Sequence, residues 1–299
     1  MGGEEIVMKK KLKFGHTAIT WANEEIVQAV ESIRSCGYWG TETFGWVLEE
    51  WENSNRNLLD VFERNRLALT SLYCHLDLLR PDRREEEIRK VMGWVKLYEK
   101  FQGNVVVIGG TMVDRRSFSI AEHLPHLVRT LNELGQRIAD AGFLCCFHPH
   151  TGTPVETEEE IHQVMQKVDT KYVKFAPDLG QIAKGGSDPF KIVKEYYEII
   201  RMVHVKDYIG GRPELNEEGK EIDKTGFLGY TPLGMGVVDI KGILEYLENH
   251  GYPYLASVEL DGNQWSPTRK GNPLMSALEA IQTSKRYLEQ LGYSNFRED

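Results

Sequence analysis

The segment FHPHTG, Phe147 to Gly152, sets two histidines on either side of a proline at the end of an apolar run. Imidazoles in that setting can ligate a metal, move a proton, or serve as hydrogen-bonded strand ends. Polar endings of the same kind recur along the chain. Asp178 and Gln181 follow VKFAP, His204, Lys206 and Asp207 lie in MVHVKDY, and Glu259 and Asp261 close LASVELDG. Upstream lie His16 in KFGHT, Glu42 in GTETF and His75 in LYCHL. Two imidazoles and two carboxylates, His148, Asp178, His204 and Glu259, make a donor set for a borderline divalent ion such as Mn²⁺, Co²⁺, Zn²⁺ or Fe²⁺; Mg²⁺ and Ca²⁺ prefer oxygen alone. Four ligands leave coordination positions open for water or substrate oxygens. Such an ion beside a lysine and a further histidine suits removal of a proton next to a carbonyl, because it polarises the ketone oxygen and stabilises the enediolate. Loss of a β-hydroxyl then gives dehydration, and return of the proton to the other carbon or face gives isomerisation or epimerisation.

For these residues to meet, the chain must gather distant strand ends. Short β-rich runs alternate with longer amphipathic ones: strand candidates fall at 12–18, 38–44, 68–75, 104–110, 142–150, 171–178, 202–208 and 254–262. Helical patterns cover 23–37, 54–66, 84–101, 117–141, 157–168, 187–199, 239–250 and 273–291. In the first helix Ile26, Val27, Val30 and Ile33 recur at three to four residue spacing, Asn23 supplies a cap and Gly37 a stop. Such alternation demands a parallel sheet with covering helices. Eight units at roughly 30-residue spacing predict a single-domain (β/α)₈ TIM barrel, a fold that typically takes roughly 250 residues. An open nucleotide-binding sheet would show GxGxxG after its first strand, and LKFGHTA is followed by nothing of the kind. In a barrel the chemistry collects at the C-terminal strand ends, where these polar residues fall. The expected organisation is a flexible tail over 1–10 and one barrel domain over 11–299. The longest irregular stretch, 209–238, follows the seventh strand, and such length marks a functional or disordered segment.

Composition narrows the partners. Hydrophobic residues make up 41% of the 299 and charged ones 27%, and no apolar run approaches the roughly 20 residues that span a bilayer. A net charge of −9 opposes a sequence-independent hold on phosphate backbones, which Lys and Arg drive. A small molecule is therefore expected, with no nucleic acid and no membrane. The N-terminal residues lack the apolar core of a secretory signal, which leads to the expectation of a cytoplasmic location. Cys36, Cys74, Cys145 and Cys146 show no CxxC spacing and are expected as reduced core thiols.

The same motifs carry a resemblance. From LKFGHTAITW to GNPLMSALEAIQTSKRYL, the chain resembles the xylose-isomerase-like TIM-barrel superfamily, which includes sugar isomerases and epimerases, endonuclease IV and the inosose dehydratases. Its members typically hold a divalent metal with an acid after strand five, Asp after strand six, His after strand seven and Glu after strand eight. The resemblance implies metal roles for Asp178 in PDLGQ, His204 in VHVKD and Glu259 in SVELDG. His148 stands where the usual acid would, with His150 as the alternative in that role. Within the superfamily the chain is most similar to the inosose dehydratase branch, through FHPHTGT, HVKD and TPLGMGVVDI. It departs at Gln181, where many relatives have His, so a second metal of the endonuclease kind is not expected. The resemblance implies metal-dependent dehydration of a keto-polyol such as 2-keto-myo-inositol, in inositol catabolism, with one divalent ion, Mn²⁺ or Co²⁺ before Zn²⁺ or Fe²⁺. A ketose 3-epimerase or aldose–ketose isomerase would use the same chemistry, and a non-catalytic sugar-binding barrel is the remaining alternative. Lys206 and His150 are expected to handle protons. His16, Glu42, His75, Thr153, Gln181 and Trp265 are expected to meet the substrate. Relatives are often dimers or tetramers, which leaves room for a homo-oligomer.

Overall fold

The computed structural model describes residues 10–218, 221–262 and 275–297. Its strands are β1 (Phe14–Thr17), β2 (Gly40–Phe44), β3 (Ala68–Leu76), β4 (Val105–Gly110), β5 (Leu144–His148), β6 (Val173–Phe175), β7 (Val203–Val205), β8 (Asp207–Tyr208), β9 (Tyr230–Thr231) and β10 (Ala256–Val258). Eight of them form one sheet in the order β6-β5-β4-β3-β2-β1-β10-β7, every neighbouring pair parallel. The two ends meet through isolated parallel bridges, Phe175 with Ile200 and Asp178 with His204. There the Arg201 amide donates to the Phe175 carbonyl (3.1 Å) and the His204 amide to that of Pro177 (2.9 Å). The sheet is thus a closed (β/α)₈ barrel and a single domain, with a seam between β6 and β7.

The helices are α1 (Ile26–Ser35), α2 (Gly45–Asn53), α3 (Leu58–Asn65), α4 (Arg84–Tyr98), α5 (Ile120–Asp140), α6 (Glu158–Met165), α7 (Leu179–Lys184), α8 (Pro189–Tyr196), α9 (Ile240–Asn249) and α10 (Ala277–Gln290). Two have no counterpart in the sequence reading. α7 is six residues long and too short to show a period; its start is set by Asp178, whose Oδ1 accepts from the Gln181 amide (3.0 Å). α2 leaves β2 directly from Phe44, with no side-chain cap. β3 runs one residue beyond its predicted end, while most of the other strands are shorter than expected; β5 and β6 lose the polar C-terminal residues of their runs to the loops at the barrel mouth. Of the expected tail, residues 1–9 lie outside the described residues, while Lys10 is docked, its Nζ donating to the Leu291 carbonyl (2.7 Å).

Alternation along each strand decides which side chain faces which layer. On β4, Val105 and Val107 point into the barrel with Cys146, Ala176 and Met202, while Val106 and Ile108 pack outward among the helices. Both faces are covered, so such strands read as continuous apolar runs. The same period sends Cys145 and Phe147 outward, and Cys146 and His148 inward. All four cysteines are unpaired and buried. Among the described residues no helix is long and apolar enough to cross a membrane.

The stretch 209–238 is folded back onto the barrel. β8 pairs with β9 antiparallel, and the Asp207 carboxylate accepts the amides of Tyr208 (2.9 Å), Gly234 (3.0 Å), Gly236 (3.0 Å) and Val238 (3.1 Å). The Thr225 hydroxyl accepts from the amides of Phe227 (3.0 Å) and Gly229 (3.1 Å). That tight turn puts Leu228 at φ 57°, a left-handed conformation that side chains with a Cβ enter only at a cost. The Lys184 Nζ holds the Leu228 carbonyl at 2.8 Å.

Two glycines bearing on α4 test the packing in opposite directions. A Cβ on Gly93 meets nothing within 4 Å, while one on Gly45 would fall 2.5 Å from the Trp94 ring. Gly93→Ala is expected to stabilise the protein by about 0.5–1 kcal/mol through helix propensity. Gly45→Ala should cost about 1–3 kcal/mol by overpacking. Chemical denaturation of the two variants beside the parent measures both.

Candidate active site

The pleat that fills the barrel floor also aims its chemistry. On β7, Val203 and Val205 face the helices, so His204 and then Lys206 face the barrel interior; on β10, Ala256 and Val258 face out, so Ser257 and then Glu259 face in. His148, Asp178, His204 and Glu259 are all buried. Potential ligand atoms of His148, Asp178 and His204 lie within 4.8 Å of one another, as do those of Glu42, His204 and Glu259. Glu42 thus joins a ligand group from β2, across the barrel. His204 stands between two carboxylates, Nε2 3.0 Å from Glu42 Oε1 and Nδ1 3.2 Å from Glu259 Oε2. Burial works against its charge, but Glu259 and Glu42 prevail and raise its pKa to about 9 in the metal-free protein. His148 Nδ1 donates to the Ala176 carbonyl (3.2 Å). Burial first, and then the nearby His204, His150 and Lys206, hold its pKa well below the ordinary value. It is therefore a neutral imidazole with Nε2 as the free electron pair, the form a metal ligand takes.

The donor set fits a divalent cation on a second ground. Both His204 nitrogens, Asp178 Oδ2 and Glu42 Oε2 are buried yet make no hydrogen bond; the ion-pair contacts of His204 with Glu42 and Glu259, and of Asp178 Oδ2 with Lys206, are near enough but out of line. Buried polar atoms without hydrogen bonds are uncommon in folded proteins, and these four belong to residues of the two ligand groups around His204. His148, Asp178, His204 and Glu259, with Glu42 beside them, could hold a metal ion.

Lys206 is fully buried behind this cluster. Its Nζ lies 2.7 Å from Glu259 Oε1, 2.9 Å from Asp261 Oδ2 and 3.0 Å from Asp178 Oδ2. Burial disfavours the ammonium, but Asp178, Asp261 and Glu259 outweigh it and hold its pKa well above the usual lysine value. The Glu259 pKa is raised by burial, with His204 and Lys206 pulling against that rise. Lys206 does not reach the cavity wall.

His150 and Gln181 form a separate network. Gln181 Oε1 accepts from the Tyr230 hydroxyl (2.5 Å) and from Thr151 Oγ1 (2.6 Å), which fixes the amide so that Nε2 donates to His150 Nε2 (2.8 Å). The imidazole proton must then sit on Nδ1, pointing at the Thr151 carbonyl (2.7 Å). Both nitrogens of His150 are engaged. The Thr153 hydroxyl is committed to the same loop, donating to the His150 carbonyl (2.7 Å).

Above the cluster opens a cavity of about 500 Å³, the size of a small-molecule site. Glu42, His75, His148, His150, Thr153, Glu259 and Asp261 face it, with Ile19, Phe44, Trp46, Met112 and Leu228 as apolar wall. Phe44 and Trp46 stack at 4.2 Å, and Trp46 meets the His75 ring edge-on at 4.8 Å. Of the residues expected to meet substrate, Glu42, His75 and Thr153 line the cavity, Gln181 lies behind His150, and Trp265 lies outside the described residues. His16 is elsewhere. It shares the face of Phe14, which packs on Tyr293 and Phe296, and its own ring meets Tyr38 at 5.3 Å; the next residue, Thr17, faces the cavity instead. The sequence reading did not assign Tyr73, Trp46, Leu228 and Tyr230, and Asp261 was given no role. Tyr73 and Asp261 were within reach of the two-residue period, from His75 and Glu259. Nothing local pointed to Leu228 or Tyr230, which arrive through the fold of the 209–238 stretch.

Comparison with known proteins agrees with this architecture. A family described as "Xylose isomerase-like TIM barrel" matches residues 30–290, and the chain belongs to that family. It is 26% identical over 308 residues to an inosose dehydratase of Lacticaseibacillus casei, covering 95% of this chain and 97% of that one. Among solved structures it is similar to the protein IOLI with a bound zinc atom, at a TM-score of 0.73 and 20% identity over 96% of this chain and 100% of that one. A D-allulose 3-epimerase from Methylomonas superposes with a TM-score of 0.70 at 15% identity, covering 94% and 97% of the two chains.

The position of His16 yields a pH prediction. Burial lowers its pKa to about 4, with the Thr17 carbonyl partly opposing the shift. A depressed folded-state pKa means that the contribution is complete above the unfolded value near 6.5 and is lost as pH falls toward 4, by at most about 3 kcal/mol. Replacing His16 with Asn should flatten the loss of stability between those pH values and leave metal content unchanged. An unaltered slope would remove His16 as its source.

Proposed function

We propose that the chain is a metal-dependent enzyme that dehydrates a keto-polyol of the inosose type, such as 2-keto-myo-inositol. The observation that carries the reading is a pair of ligand groups that share His204, one with His148 and Asp178 and one with Glu42 and Glu259, several of their atoms without hydrogen bonds, of which His148, Glu42 and Glu259 line the cavity. The Lacticaseibacillus casei relative supports the substrate class. None of the described residues lining the cavity is Lys or Arg, which suits an uncharged polyol better than a sugar phosphate. The stacked Phe44 and Trp46 rings offer a flat apolar surface to the C–H face of such a ring.

His148, Asp178, His204 and Glu259 would hold the ion, Mn²⁺ or Co²⁺ before Zn²⁺ or Fe²⁺. A bound divalent ion supplies Lewis-acid polarisation of the ketone oxygen. Among the chain's own groups, Asp261 faces the cavity and its Oδ2 accepts from the Lys206 ammonium at 2.9 Å. In this reading its carboxylate takes the proton α to the carbonyl and returns it to the departing β-hydroxyl, so that the C–H and C–O bonds break and water leaves. The proton-handling role expected of His150 and Lys206 passes to Asp261, because both His150 nitrogens are engaged and Lys206 lies behind the wall. Glu42 and His75 accept or donate hydrogen bonds to the polyol hydroxyls. The unpaired, buried cysteines suit a reducing cytoplasmic setting.

Protein stripped and reloaded with Mn²⁺ or Co²⁺ is expected to hold about one ion per chain by mass spectrometry. It should then convert 2-keto-myo-inositol to an ultraviolet-absorbing diketone. Glu259→Ala should weaken metal binding by at least about 10–100-fold, the cost already seen when only outer-shell partners of a metal ligand are removed. Asp261→Asn should keep the ion and lose about 10²–10⁴ in kcat. Solvent deuterium appearing in a recovered ketose, with no water lost, would reassign the chain as an epimerase or isomerase. Absence of bound metal in the reloaded parent would reduce it to a sugar-binding barrel.

A further inference from the structure

One ammonium group stands where a cation site would be. The oxygens of Asp178, Glu259 and Asp261 converge on Lys206 Nζ from 3.0, 2.7 and 2.9 Å, and the ring of Tyr230 covers it at 4.5 Å. The stem is enclosed as tightly as the head. A Cβ on Gly180 would fall 2.6 Å from Lys206 Cγ, so the glycine at the start of α7 is what lets the side chain pass. Three carboxylate oxygens gathered about one buried point are the donor set of a divalent ion, and here the point is filled by the chain's own nitrogen.

The rest of the floor explains why. Glu42, Asp178, Glu259 and Asp261 are all buried, and buried carboxylates must be compensated. One divalent ion on the histidine side would leave part of that charge unmet. Asp261 belongs to neither of the ligand groups around His204; its side-chain partner is Lys206. Asp178 and Glu259, by contrast, belong both to those groups and to the lysine.

We propose that Lys206 is a built-in second cation, which neutralises the carboxylates a single metal leaves uncompensated and so limits the site to one divalent ion per chain. The inference rests on the metal-binding reading above. Removing the ammonium while keeping its three carboxylates would leave buried charge unpaired, which is strongly unfavourable, and would vacate a place that a second ion can take. Lys206 is in these terms a positioning residue.

The test is metal stoichiometry. Parent, K206Q and K206R proteins are stripped, loaded with excess Mn²⁺, dialysed and measured by mass spectrometry and low-temperature electron paramagnetic resonance. The expected result is one ion and an isolated six-line signal in the parent and in K206R, against two ions and a spin-coupled signal in K206Q. One ion in K206Q, or two in the parent, would overturn the proposal. No ion in the parent would instead sink the metal-binding reading itself, so the two failures are distinguishable. If K206Q does not fold when stripped, refolding in Mn²⁺ reads the same quantity: recovery with two ions per chain supports the proposal, and recovery with one, or none at any Mn²⁺ concentration, overturns it.

Discussion

Charge removed from water must be answered by opposite charge, and this barrel buries four carboxylates near one another, Glu42, Glu259 and Asp261 on the cavity and Asp178 beside Lys206. That requirement organises the upper half of the molecule. It explains a lysine with no solvent exposure, a histidine between two acids, and a small residue at 180. It also explains why the polar atoms there are so unevenly satisfied: Lys206 uses its hydrogen bonds on Glu259 and Asp261, while His204 and Asp178 Oδ2 have none. A half-satisfied network is costly, and evolution tolerates such cost chiefly where a site does chemistry.

Much of the barrel could be read from the amino-acid pattern, because parallel strands covered on both faces leave continuous apolar runs such as VVVIG and the helices between them are long and amphipathic. The inward direction of His148, His204 and Glu259 follows from the same period, once the neighbouring Phe147, Val205 and Val258 are assigned to the outer layer. His16 shows where that reading failed: it ends a strand and is polar, but it shares parity with Phe14 and therefore faces the helices. Strand ends alone do not fix a face. α7 and α2 were not legible because one is too short for a period and the other begins without a cap.

The mouth of the barrel was the least legible part, for a physical reason. The 209–238 stretch has no apolar period, and its conformation depends on contacts distant in sequence. Asp207 gathers four backbone amides from both ends of the excursion, and Lys184 holds the Leu228 carbonyl from α7. Through these contacts Leu228 and Tyr230 reach the site. The acid of the HVKD motif thus works apart from its neighbours: His204 and Lys206 serve the interior, while Asp207 ties down the loop that covers it.

The seam between β6 and β7 decides which part of the candidate site depends on ring closure. Every other neighbouring pair of strands shares a ladder, whereas this pair is joined by two isolated bridges, one of them between Asp178 and His204. In the strand order this junction is where the two ends of the eight-stranded ladder meet. The residues that face each other across it are those gathered around Lys206 and His204. The Glu42, His204 and Glu259 group lies along the continuous run from β2 to β7, whereas the His148, Asp178 and His204 group is assembled across the junction and exists only in the closed ring.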